Sequence, residues 1–388
     1  MPRYAYYISP WVTPLSPANA VWQESLPLAR PTSGKSAEIA VSHGEYFNAV
    51  RSFCEQDGCE MFCGVVAQRL QQTVSPGDIQ EIRVHLEKHG EFYHPARIVT
   101  DLPGYKISFV LNVALSEPGK KHINGEFHHI KRLNTEFAES FLPEVYCMGE
   151  VTTGGGIKFY MFLGEWFQDY HEFHISRQTS GNQDQVCVWD DRKGRYYLSR
   201  EQQSRLYRQA ARIMTGYYNV TTFEHISPWH HAAGDFIIRL NQNIIDLKLI
   251  TVRGYAPLLQ DIDDQTPGAR NAEQILQALL IFFLKLSIWM RLDRVDGVGE
   301  LTWSDPGVVQ STVEGIFEGL AQKPANPILP DAVDRCFQYY LSICTPGDLF
   351  DLSESILQTI HPAAPEIPLI KQNLADHVLM LIQSIKKI

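Results

Sequence analysis

Histidine, aspartate and basic side chains crowd into one stretch, Phe223 to Tyr255, which reads FEHISPWHHAAGDFIIRLNQNIIDLKLITVRGY. A polar loop carries His225, Trp229, His230, His231 and Asp235. His230 has the chemistry of a general base, because an unperturbed imidazole titrates near neutral pH. The spacing His-His-x3-Asp also places two nitrogen ligands and a carboxylate in one loop, a donor set for a transition metal. Two short apolar runs follow, Phe236 to Leu240 and Ile244 to Ile250, either side of Asn241-Gln242-Asn243. β-branched runs flanking an Asn-rich turn predict a hairpin, with Asp246 and Lys248 on its second strand. A helical pattern ends near Thr222. The titratable loop is therefore held between a helix and a hairpin, the kind of rigid support on which chemistry concentrates. Taken singly, each of these residues is more readily a cap, a turn or a pairing partner; it is the cluster as a whole that points to chemistry.

The chain that must position this loop has 388 residues, more than one ordinary core, so two lobes are expected. Apolar residues make up 44% and charged residues 20%, a globular composition. The net charge of -10 and a pI near 5.8 argue against a general nucleic-acid binder, which needs a basic surface. The locally basic segment from His122 to Arg132 reads as a solvated helix face. No signal-peptide pattern opens the sequence. The most apolar run, Ile275 to Met290, carries Gln277 and Lys285 and is shorter than a membrane span needs, which predicts a buried helix and no membrane partner. Seven scattered cysteines suit reduced thiols and a cytoplasmic location. Cys54, Cys59 and Cys63 lack a zinc-site spacing and are expected to be buried free thiols.

In chain order, residues 1 to about 75 read as an N-terminal extension. It begins with Pro- and Ser-rich segments and then carries a helical pattern from Glu45 to Thr73. Residues 76–167 read as a β-rich lobe. IQEIRVHLEKHGEFYHPARIVTDL predicts two strands meeting around Lys88-His89-Gly90, and KISFVLNVAL a third. A helix over about 124–137 follows, then strands at PEVYCMGEV and IKFYMFLGEW. That order indicates a mostly antiparallel sheet with one helix packed on it. Residues 168–388 read as a helical lobe. It holds a hairpin of VCVWDD and GRYYLS, a strong helix over 200–218, the loop and hairpin of 223–255, and helices over 272–291, 306–322, 330–344, 350–360 and 367–387. The fold class is therefore α+β: a small antiparallel β lobe and a larger helical lobe.

With those elements placed, the chain resembles the protein-kinase-like superfamily, nearest in flavour to aminoglycoside and choline phosphotransferases. The likeness covers roughly residues 79–320 and is one of element order. KHGEFYHP is similar to the loop that covers the nucleotide, which implies roles for Lys88 and Gly90. FVLNVAL is similar to the third strand, where Asn112 stands in place of the phosphate-gripping lysine. Glu126 resembles the helix glutamate that holds that lysine. FLGEWF resembles the strand that runs into the hinge, which puts Glu165 near an adenine. PWHHAAGDFII is similar to the catalytic loop; there His230 stands where the family has its acid, beside His231, and Asp235 replaces a metal-binding asparagine. The resemblance implies ATP and Mg²⁺, with Asp235 and Asp246 as metal ligands. Lys88, Lys248 or Arg253 would supply the missing positive charge for the phosphates. The acceptor, a small molecule or a protein side chain, is not specified.

Two alternatives stay open. Loss of the lysine and the acid fits a pseudokinase-like module that binds a nucleotide or a partner without turnover. A metal hydrolase built on His230, His231 and Asp235 is the third reading. The pairs His128-His129 and His171/His174 lack a third ligand at persuasive spacing and are read as surface or hinge packing.

Overall fold

Alternating apolar residues along 81–114 and 158–165 form a sheet, and their period of two decides which face is dry. The computed structural model describes residues 2–27, 41–88, 90, 92–177, 184–190, 192–229, 234–242, 244–258 and 271–388. The chain divides into two units: residues 1–132 with 143–168, and residues 133–142 with 169–388. The fold is α+β, as its composition and order predict.

The first unit is built on a six-stranded sheet. Its strands are β1 (Arg3–Ile8), β2 (Glu81–Leu86), β3 (Ala96–Leu102), β4 (Tyr105–Ala114), β5 (Val145–Thr152) and β6 (Lys158–Glu165), in the spatial order β1-β2-β3-β4-β6-β5. Every pairing is antiparallel except β1 with β2, so the sheet is mixed. One face buries Ile82, Val84, Phe109, Leu111, Phe159 and Met161 against two helices, α1 (His43–Cys54) and α2 (Glu60–Leu70). Ala114 and Phe162, on the other face, meet Ile123 and Phe127 of α3 (Glu117–Glu136).

Residues 1–75 are thus part of the sheet unit rather than a separate extension. β1 supplies an edge strand, and α1 with α2 supplies about a third of the core. The single helical pattern over 45–73 is two helices. Asp57, Gly58 and Cys59 all adopt positive φ, so the Asp-Gly pair breaks the run there. A reciprocal capping box between Ser42 and Glu45 fixes the start of α1. Cys54, Cys59 and Cys63 are free and buried in this core.

The second unit opens its β structure with a sheet of β7 (Glu172–Arg177), β8 (Asp184–Asp190) and β9 (Gly194–Tyr197). Helix α4 (Arg200–Gly216) follows. Then come β10 (Glu224–Ile226), the hairpin of β11 (Phe236–Asn241) and β12 (Ile244–Leu249), and β13 (Tyr255–Pro257), which pairs back with β10. Helices α5 (Ala272–Trp289), α6 (Gly307–Ala321), α7 (Val333–Ile343), α8 (Pro346–Gln358) and α9 (Glu366–Ile385) complete the unit, with a small hairpin of β14 (Leu292–Arg294) and β15 (Leu301–Trp303) between α5 and α6. α5 is long and apolar enough to cross a membrane by composition, yet 56% of that window is buried within the chain, as in a core helix. His174 lies in β7, and His171, just before that strand, makes an isolated bridge to Ile238, so the segment is extended. There a separation of three turns His171 and His174 to opposite faces, His171 toward Asp190 and His174 against Trp189.

Candidate functional site

The hairpin of the second unit forms as its sequence predicts, and its register fixes where its described charged groups stand. The Ser227 N–H donates to the Gly254 carbonyl at 3.0 Å, which closes the base of the whole excursion. A β-carbon on Gly254 would fall 2.6 Å from the Ser227 carbonyl, so this close approach requires glycine. Gly234 sits at φ 80°, the left-handed turn that feeds the chain into β11. Just after it, Asp235 lies opposite Ile250, whose N–H donates to the Asp235 carbonyl at 2.8 Å.

Asp235 is 1% exposed, and its carboxylate is gripped by both terminal nitrogens of Arg253, one of them at 2.5 Å. Such a fork-to-fork pair satisfies both partners at once. Asp246 stands opposite Arg239 and accepts from it at 2.7 Å and from the Tyr170 hydroxyl at 2.5 Å. Four residues of β12 separate Asp246 from the position facing Asp235, about 13 Å along the strand. Mg²⁺–oxygen bonds are about 2.1 Å, so the two carboxylates do not share one ion in this arrangement. That corrects their pairing as joint metal ligands. Arg253 is likewise not an open phosphate-binding cation, since it holds Asp235. Lys248 donates to the Ser140 carbonyl at 3.0 Å and rides over the Phe141 ring. His230 and His231 lie outside the described residues. Among the described residues no group of three or more His, Cys, Asp or Glu is arranged to hold a metal.

In the first unit, Asn112 and Glu126 come into one layer. Asn112 lies opposite Phe162 on the β4–β6 ladder, and Phe162 packs on Phe127 of α3, with ring centroids 5.8 Å apart. Asn112 is 8% exposed and Glu126, next to Phe127, is fully buried. Lys88 and Gly90 sit in the loop between β2 and β3. Gly90 donates to the Tyr93 carbonyl at 3.1 Å, and a β-carbon there would meet that oxygen at 2.7 Å, so the turn itself demands the glycine. Glu165 is engaged by Arg69 at 3.0 Å and accepts from the Glu144 N–H at 3.3 Å; it is a structural anchor at the end of β6.

Sequence reasoning passed over the partner of His225. Its Nδ1 lies 3.2 Å from the Ala256 carbonyl, so Nδ1 carries the proton and Nε2 is left as acceptor for the Lys285 ammonium at 3.4 Å. The spacing of Lys285 within an apolar helix was the available signal. Burial first, and the Lys285 charge second, push the His225 pKa down to about 4. At this site the unfolded chain therefore binds one more proton than the native chain between about pH 6.5 and 4, as it also does at His85 and His377, whose pKa values are lowered too. Stability should fall as pH drops through that window, by at most about 3 kcal/mol for His225 at about 1.4 kcal/mol per pH unit. Urea midpoints at the two ends of the window measure it. His225→Gln, which keeps a donor and an acceptor, should flatten the slope; an unchanged slope in that variant would remove His225 from the account.

No protein-family model matches the chain, and no curated protein matches it. Among solved structures, one described as WaaP in complex with acyl carrier protein is similar over 76% of this chain and 96% of that chain, at 10% identity and a TM-score of 0.31. A likeness that loose carries no argument about this chain.

Proposed function

We propose that the chain is a divergent kinase-like phosphotransferase that uses ATP and Mg²⁺ on a small-molecule or protein acceptor. The observation that carries this reading is Glu126. Glu126 is a carboxylate fully buried on α3, in the layer that also holds Asn112 and packs on Ala114, Ile123, Phe127 and Phe162, and acidic side chains are rarely buried to that extent. It stands on the helix that covers the strand bearing Asn112, where the resemblance calls for a phosphate-gripping ion pair. The order of antiparallel strands, covering helix, second helix, loop and hairpin supports the same class. In this reading Lys88, in the β2–β3 loop, meets the phosphates, and His230 is the general base. Asp235 would take Mg²⁺ only by exchanging it for Arg253.

That last condition favours a second reading, a pseudokinase-like module that binds a nucleotide without turnover. A carboxylate already neutralised by arginine and an asparagine in place of the lysine both point that way.

Thermal-shift titration with ATP, with and without Mg²⁺, separates the readings. Ligand at a hundred times its dissociation constant adds about 2.7 kcal/mol, a shift of several degrees. A Mg²⁺-dependent shift, weakened in Asp235→Ala and accompanied by slow ADP formation, is the expected result. A shift indifferent to Mg²⁺, with no ADP formed, would select the binding module. No shift with ATP in the millimolar range would end both.

A further inference from the structure

A polar hollow of about 250 Å³ opens on the first unit, away from every residue discussed above as nucleotide- or metal-directed. One wall is a stripe of α1: Glu45, Asn48 and Ser52, spaced so that all three share a helix face. The other wall is the turn between β5 and β6, Thr152-Thr153-Gly154-Gly155. Glu45 spends one carboxylate oxygen on Ser42, accepting from its N–H at 2.9 Å and its hydroxyl at 3.1 Å. The other oxygen faces the turn, 3.7 Å from where a Gly155 β-carbon would stand. Asn48, Ser52 and Thr152 are exposed, and no hydrogen bond to another described residue engages the Asn48 or Ser52 side chain.

The glycines carry the argument. The turn is closed by the Gly156 N–H on the Thr153 carbonyl at 2.9 Å, and Gly156, at φ 78°, needs to be glycine. Gly154 and Gly155 do not. Neither is among the positive-φ glycines, a β-carbon on Gly154 would meet nothing within 4 Å, and one on Gly155 only the Glu45 oxygen. Backbone geometry and packing would accept a side chain at both. What the two glycines preserve is the open volume and access to their own amides, which the turn's hydrogen bond leaves unused.

We propose that this hollow binds an uncharged, polyhydroxylated ligand of about one sugar ring. Its walls offer a carboxylate oxygen, a carboxamide, hydroxyls and backbone N–H groups, the mixed donors and acceptors that alternate hydroxyls of a sugar require. No basic side chain lines it, which removes phosphate and carboxylate ligands, and no aromatic face lines it, which removes flat apolar ones.

The test is saturation-transfer NMR on the full chain with glucose, galactose, mannose and N-acetylglucosamine, beside ethanolamine as a cationic probe. At least one sugar should receive saturation. Gly155→Val, which fills the hollow, should abolish it, and Asn48→Ala should weaken binding about tenfold, about 1.4 kcal/mol. Neither variant should melt below the wild type, which separates lost binding from lost fold. No transfer to any sugar, transfer to ethanolamine alone, or transfer that survives both variants would overturn the proposal.

Discussion

Gly315→Ala should cost about 3 kcal/mol or more and lower the urea midpoint of the second unit accordingly. Gly315 and Gly319 lie one turn apart on the face of α6 that packs on α4. A β-carbon at 315 would stand 2.0 Å from the Arg208 carbonyl oxygen, 2.8 Å from its carbon and 3.0 Å from the Ala211 β-carbon. The obstacle is helix backbone, which has no rotamer to change, so the two helices must part along their length. Overpacking of this kind typically costs 1–3 kcal/mol, and the upper end applies when backbone must move. The Arg208–Glu318 and Arg208–Glu314 ion pairs across the same helices are half exposed and will not hold the interface alone. Gly64→Ala in α2 is the control. Nothing lies within 4 Å of its β-carbon, so it should stabilise by about 0.5–1 kcal/mol through helix propensity. A Gly315→Ala protein within about 1 kcal/mol of the wild type would show that α4 and α6 are not packed as described.

The second large effect concerns Arg253. Arg253→Ala leaves the Asp235 carboxylate, 1% exposed, without its guanidinium partner. Breaking a buried pair from one side typically costs 3–5 kcal/mol, because a charge stays behind in a poorly solvating site. Removing both charges, as in Asp235→Asn with Arg253→Met, should recover more than half of that loss. A double-mutant cycle by urea unfolding reads the coupling directly. Single and double variants all as stable as the wild type would mean that the pair contributes nothing to the fold.

The Asp235–Arg253 pair also marks where sequence reading stopped. The hairpin was legible, because Phe236, Ile238, Leu247 and Leu249 alternate and Asn241-Gln242 make the turn. Its register was legible in principle, since pairing Asp235 with Ile250 brings the chain round to Arg253 three residues later. What spacing could not show is that two residues assigned to separate tasks, metal and phosphate, would satisfy each other. The same limit applied to Glu165, whose partner Arg69 comes from a helix far away in sequence. The helices of 272–387 are legible to within a few residues from their apolar pattern, whereas α8 begins at Pro346 behind the Thr345 capping box, ahead of the 350 that the pattern alone suggests. The short strands β10, β13, β14 and β15, three residues each, were invisible; no period can be read from so few positions. β1 was missed for a different reason. Its sequence, RYAYYI, is strand-like, but its partner lies beyond α1 and α2, and no local pattern encodes a parallel pairing at that distance.

That distant pairing has a consequence for how the protein is made. β1 is synthesised before α1 and α2, yet its place is on the flank of β2, which follows both helices. Until β1 swings back, β2 offers a raw border of unpaired amides and carbonyls beside Ile82 and Val84, the template on which foreign strands add. The residues of β1 are in effect a hem along that border. A tag or fusion that hinders them should show itself less as lost melting temperature than as protein found in the pellet.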